Sequence, residues 1–190
     1  MQRIKDSLNA SARLKQTIAA TLSGDINDAI VLIRDSLRGG GKLLLMGNGG
    51  SAADAQHIAA EFVGRFNKER RALPAIALTT DTSALTCIGN DYGFEHIFAR
   101  QVEALARKGD AVVGISASGN SENVLRALQK ANELGAVTIG LLGNDGGKMK
   151  DVVHKAIIVP SDNTARIQEA HITIGHIICE IIEQELTDEK

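Results

Sequence analysis

Lys42-Leu43-Leu44-Leu45-Met46-Gly47-Asn48-Gly49-Gly50-Ser51 decides how this chain is built. Lys42 to Met46 is an unbroken short apolar run after its first residue, the pattern of a strand buried on both faces. Gly47 to Ser51 then turns the chain, and the pattern from Ala52 to Phe66 is helical. Ala75 to Thr79, Ala111 to Ile115, Val137 to Leu142 and Ala156 to Val159 repeat the strand pattern, with helical segments near Phe94 to Arg107 and Glu122 to Leu134. Strands alternating with helices predict a doubly wound α/β fold, a five-stranded parallel sheet covered by helices on both faces. Ligands of such sheets bind beyond the carboxyl ends of the strands.

Upstream of the sheet, the first forty residues carry two helical patterns. In the clearer one, Ile26, Ile30, Ile33 and Leu37 fall on one helix face, and Gly39, Gly40 and Gly41 stop it. Downstream, Ala165 to Leu186 has apolar residues at Ile167, Ala170, Ile172, Ile174, Ile177, Ile178, Ile181 and Ile182, around most of its circumference. A helix of that kind is expected to be buried. A sheet with a few helices leaves little room to bury it together with both N-terminal helices, so these elements are expected to pair copies in a homo-oligomer.

At 190 residues the chain fits one domain, 1–190, without linkers or repeats. Apolar residues are 44% and charged residues 23%, far from the signature of disorder. With 21 basic against 23 acidic residues and no basic cluster interleaved with aromatics, nucleic acid is not an expected partner. No apolar run reaches the roughly 20 residues that span a bilayer, so no membrane partner is expected either. Cys87 and Cys179 lie far apart, and MQRIKDSLNA lacks the apolar core of a signal peptide, which points to a reducing cytoplasm.

Two loops carry chemical promise. Gly47 to Ser51 lets backbone N–H groups meet an anion at a helix N-terminus. It is neither a Walker A loop nor a G-x-G-x-x-G fingerprint, whose third glycine would fall at Ala52, so no nucleotide cofactor is expected. Ser116-Ala117-Ser118-Gly119-Asn120-Ser121 follows the third strand and precedes a second helix. Both also read as plain turns with N-caps, for which Ser, Asn and Gly are the usual residues. With no lysine adjoining either in sequence, the two together suggest an uncharged cradle for a monophosphate ester. His57 and Glu61 stand four residues apart on the helix after the first loop, a spacing that suits metal ligation or proton transfer. Gln168 and His176 are eight apart on the last helix, roughly 80° around its axis. His96, His154 and His171 read as helix or surface histidines with local hydrogen bonds.

The ordered series Gly47-Asn48-Gly49-Gly50-Ser51, Asp54-Ala55-Gln56-His57 to Glu61, Gly89-Asn90-Asp91, Ser116 to Ser121, Asp145-Gly146-Gly147 and Arg166-Ile167-Gln168-Glu169 resembles the phosphoheptose isomerase family of sugar isomerase (SIS) domains. The resemblance covers essentially the whole chain. It implies a SIS fold, a cytoplasmic homotetramer with sites at subunit interfaces, and conversion of sedoheptulose 7-phosphate to D-glycero-D-manno-heptose 7-phosphate, the first step towards ADP-heptose and the lipopolysaccharide core. By the same resemblance the sugar phosphate contacts Asn48, Gly49, Gly50, Ser51, Glu61, Asn90, Asp91, Ser116, Ala117, Ser118, Ser121 and Gln168. Glu61 and His176 become the acid/base pair, and His57, Glu61, Gln168 and His176 the ligands of one zinc per subunit. Ala165 stands where some members carry an aspartate, so no catalytic part for that residue is carried over. The competing expectation is a non-catalytic SIS protein that binds the bacterial replication initiator; such a protein lacks the Glu and His that stand here at 61 and 176.

Overall fold

A computed structural model describes residues 1–187 of the chain. Five strands, β1 (Leu43–Gly47), β2 (Ala75–Ala77), β3 (Ala111–Ser116), β4 (Val137–Leu142) and β5 (Lys155–Ile158), form one parallel sheet in the order β2-β1-β3-β4-β5. Around it lie α1 (Gln2–Thr21), α2 (Ser23–Arg38), α3 (Gly50–Val63), α4 (Thr82–Tyr92), α5 (Ala99–Leu105), α6 (Glu122–Glu133) and α7 (Thr164–Thr187). The strand order reverses between β1 and β3, which pair from Leu43↔Ala111 to Gly47↔Ile115. A doubly wound sheet opens its ligand crevice at that reversal.

Strand alternation divides the core. Leu43, Leu45, Val113 and Ile115 point to a cluster with Ile30, Ile33, Ile58, Phe62, Ile174 and Ile178 from α2, α3 and α7. Leu44, Met46 and Val112 point the other way, to Phe98, Val102, Val124 and Leu128 from α5 and α6. The α2 face predicted from Ile26, Ile30, Ile33 and Leu37 is buried throughout.

Three expectations need correction. The segment Phe94 to Arg107 is not one helix: a 3-10 turn at Phe94–His96 precedes α5, and the buried Ile97 and Phe98 form the junction between them. Helix α4 was not foreseen; none of its residues is fully buried, so it leaves little hydrophobic periodicity, although Asp81 caps it by accepting from the Ala84 N–H at 2.9 Å. Helix α7 is not buried all round. Ile177 and Ile181 stay half-exposed along an apolar groove of about 300 Å³ shared with Ile18, Ile26 and Ile30. No helix among the described residues is long and apolar enough to cross a membrane.

Candidate active site

The loops after β1 and β3 face each other across the sheet's reversal and enclose a cavity of about 250 Å³, lined by Asn48, Ser51, Ser116, Ala117, Ser118, Ser121, Asn144 and Gln168 among others. None of its lining residues carries a charge. Ser116 Oγ lies 3.0 Å from Ser121 Oγ and 3.5 Å from Ser118 Oγ, so the three hydroxyls form one mutually oriented set. Gly119 turns the loop with φ +64°, and a Cβ there would lie 2.0 Å from the Gly146 carbonyl oxygen; only glycine fits. The N-termini of α3 and α6 begin at these loops, and their first N–H groups have no partner inside the helix. Hydroxyls, free amides and helix dipoles without lysine suit a phosphate monoester.

The loops are tied together by two carboxamides. Asn48 Nδ2 donates to Asn123 Oδ1 at 2.9 Å and Asn123 Nδ2 donates to Asn48 Oδ1 at 2.8 Å. Gln168 lies against the first loop: a Cβ on Gly50 would meet its Nε2 at 2.8 Å.

Further along α3, His57 and Glu61 meet His176 of α7. His57 Nε2 is 2.9 Å from His176 Nε2 and 3.3 Å from Glu61 Oε1, and the Phe66 ring centroid lies 5.6 Å from that of His176. The helices come this close because Gly175 replaces a side chain that would stand 2.6 Å from Ile58 Cδ1. The ligand atoms of His57, Glu61 and His176 lie within 4.8 Å of one another, and two imidazoles with a carboxylate are a donor set that suits zinc.

Asp54 was quoted in the motif without a role, and the structure sets it beside this group. Its Oδ2 is buried with no hydrogen-bond partner among the described residues. Burial raises its carboxyl above the ordinary range, against the opposing pull of His57 and His176. Asn90 and Asp91 stand apart: exposed at the end of α4, they bond to each other at 2.8 Å, and Asp91 lines a separate groove with Cys87, Tyr92 and Arg100. The three other histidines bond outside this group and across the fold rather than locally, His96 to Arg126, His154 to Thr138 and His171 through Nε2 to the Leu142 carbonyl, while His171 Nδ1 is buried without a partner among the described residues.

The SIS domain family matches residues 8–143. A phosphoheptose isomerase of Geotalea daltonii is 58% identical over 190 residues, covering 100% of this chain and 99% of its own. The chain belongs to the phosphoheptose isomerase family. Among solved phosphoheptose isomerases, that of Neisseria gonorrhoeae superposes with a TM-score of 0.91 at 47% identity, covering 96% of this chain and 98% of its own. The one from Francisella tularensis gives 0.93 at 40% identity, covering 96% and 97%. Membership of the phosphoheptose isomerase family makes the chain an enzyme, an isomerase, and sets aside the non-catalytic alternative.

Proposed function

We propose that the chain, as one SIS unit, interconverts sedoheptulose 7-phosphate and D-glycero-D-manno-heptose 7-phosphate through a cis-enediol, with Glu61 and His176 moving the protons. The observation that carries this is the convergence of a carboxylate and an imidazole from two helices on one point outside an uncharged phosphate cradle. The spacing fits the substrate. His57, whose Nε2 lies 3.3 Å from Glu61 Oε1 and 2.9 Å from His176 Nε2, marks where the pair meets and is six residues from Ser51, roughly 9 Å along α3. An open heptose places six C–C bonds of about 1.5 Å each between its phosphate-bearing end and C1, a zigzag of similar reach.

With the phosphate held by the N–H groups of Gly49 and Gly50 and the hydroxyls of Ser51, Ser116, Ser118 and Ser121, C1 and C2 fall between Glu61 and His176. One of the two takes a proton from C1 of the ketose as the C2 oxygen gains one, forming the enediol; a proton returned to C2 as the C1 hydroxyl loses its own gives the aldose, and the reverse steps restore the ketose. Gln168, between the cradle and His176 on α7, bonds sugar hydroxyls. Where zinc is bound, His57, Glu61, Gln168 and His176 hold it, and it supplies polarisation of the carbonyl oxygen.

The apolar groove along α7, with Ile4 and Leu8 of α1 63% and 66% exposed, supports a homo-oligomer, read as a tetramer. A neighbouring copy is then the source of Asn90 and Asp91 for the substrate. On this reading the enzyme works in the cytoplasm and its product enters ADP-heptose synthesis for the lipopolysaccharide core.

The test is conversion of sedoheptulose 7-phosphate in D₂O followed by NMR. Deuterium is expected at C2 of the aldose, and on reversal at C1 of the ketose. Turnover with complete retention of the original hydrogen would replace the enediol by a hydride shift, and no turnover would remove the substrate.

A further inference from the structure

Arg70 and Glu183 take no part in the steps above, yet their side chains are only 5% and 2% exposed. Arg70 Nε donates to Glu183 Oε1 at 3.0 Å. Its Nη2 donates to the carbonyl oxygen of Glu61 at 2.8 Å, and its Nη1 to those of Phe62 at 3.0 Å, Gly64 at 3.3 Å and Arg71 at 3.0 Å. Helix α3 ends at Val63, so a single guanidinium covers carbonyls that a helix terminus leaves open. Glu183 in turn accepts the backbone N–H groups of Phe66 at 2.8 Å, Asn67 at 2.6 Å and Lys68 at 2.8 Å.

This clasp joins the two helices that carry the reacting groups. The Glu61 carbonyl is one of its anchor points, and Glu183 follows His176 by seven residues, two turns on the same face of α7. Phe66, whose N–H Glu183 holds, sets its ring beside His176. Cys179, buried on α7 between His176 and Glu183, has its thiol pushed up to about 12 by burial and by Glu61 and Glu183, with Arg70 opposing, which places Cys179, Glu61, Arg70 and Glu183 in one electrostatic neighbourhood. An apolar pair can often replace a buried ion pair at little cost, but here it would also orphan the backbone groups that Arg70 and Glu183 satisfy, so the pair is tied to the loop backbone as well as to itself. The phosphate cradle, by contrast, is built at the other end of α3 and from the loop after β3.

We propose that Arg70 and Glu183 are positioning residues, an ion pair that locks the end of α3 and its following loop onto α7 so that Glu61 and His176 keep their mutual placement across the reacting carbons. This rests on the reading of Glu61 and His176 as the acid/base pair. A lysine at 70 retains the charge but cannot span the carbonyls that the planar fork reaches.

The experiment compares Arg70→Lys, Glu183→Gln and the joint Arg70→Met with Glu183→Leu, each assayed well below its melting midpoint. kcat and KM for sedoheptulose 7-phosphate are measured with the inhibition constant of inorganic phosphate. Expected is a fall in kcat of about tenfold to a hundredfold, the scale of a small misplacement of reacting groups, with KM and phosphate inhibition near wild type. The joint variant is expected to melt below wild type, because the N–H groups of Phe66, Asn67 and Lys68 lose their acceptor, and to be slow at temperatures where it is folded. Wild-type kcat in the joint variant, or a loss confined to KM, overturns the proposal; if the joint variant does not fold, the near-isosteric Glu183→Gln decides on the same readouts. Glu61→Gln is run alongside. Normal turnover there removes the acid/base reading itself, whereas a dead Glu61→Gln beside fully active clasp variants removes only the clasp.

Discussion

His57 and His176, 119 positions apart, meet ring nitrogen to ring nitrogen at 2.9 Å. Such a contact requires one imidazole to donate and the other to accept. The same nitrogens are the ones a metal needs. Zinc bound there would take the place of that hydrogen bond, so its retention is expected to depend on both rings. His57→Asn is expected to retain less zinc than wild type after dialysis; equal retention would place the metal elsewhere.

Glu61→Gln and His176→Gln each keep size and polarity but lose proton transfer. Turnover of sedoheptulose 7-phosphate is expected to fall by about 10²- to 10⁴-fold, with KM much less affected. Near-normal kcat in either would reassign the roles.

Ser116 is buried and shares its hydroxyl with Ser118 and Ser121. Removing one hydrogen bond to a charged group costs about 1.5–3 kcal/mol, so Ser116→Ala is expected to raise KM about ten- to a hundredfold while kcat stays close to wild type. A drop in kcat alone would mean that this loop does not hold the phosphate.

Gly175→Ala puts a methyl group 2.6 Å from Ile58 Cδ1, where the helices of the acid/base pair touch. Overpacking of this kind costs about 1–3 kcal/mol, and parting the helices should lower kcat as well as the melting midpoint. Ile58→Val in the same chain makes room, and recovery of both quantities is the check.

His171 is fully buried, and burial lowers its pKa from the ordinary 6.5 despite the opposing hydrogen bond to Leu142. The unfolded chain then binds the proton more readily than the folded one. Stability from this group is present above about pH 6.5 and is lost as pH falls towards the lowered folded-state value. The melting midpoint should drop between about pH 7 and pH 5, and more steeply in wild type than in His171→Asn; parallel slopes would exclude His171 as the source.

What could be read in advance followed the range of the interactions. Strands β1, β3 and β4 were legible because their burial on both faces leaves unbroken apolar runs such as Leu43 to Met46, and the edge strands β2 and β5 by their short apolar runs alone. Helix α4 packs only lightly, through Leu85 and Ile88, so its one clear trace was Asp81 as a cap. At the site, His57 and Glu61 belong to one helix and declare themselves by spacing, while the roles given to Glu61 and His176 came from the family resemblance. Asp54, Arg70 and Glu183 were missed because a charged residue in a sequence reads as solvated surface. Their burial exists only once α3 and α7 are packed together.

The mutual carboxamide bonds of Asn48 and Asn123 have a thermodynamic consequence. Both turns are already ordered before any sugar arrives, so association surrenders little chain entropy there, and the affinity for a small anion approaches what its hydrogen bonds can supply. An enzyme built this way can hold its substrate by the tail and leave the other end of the molecule free to rearrange.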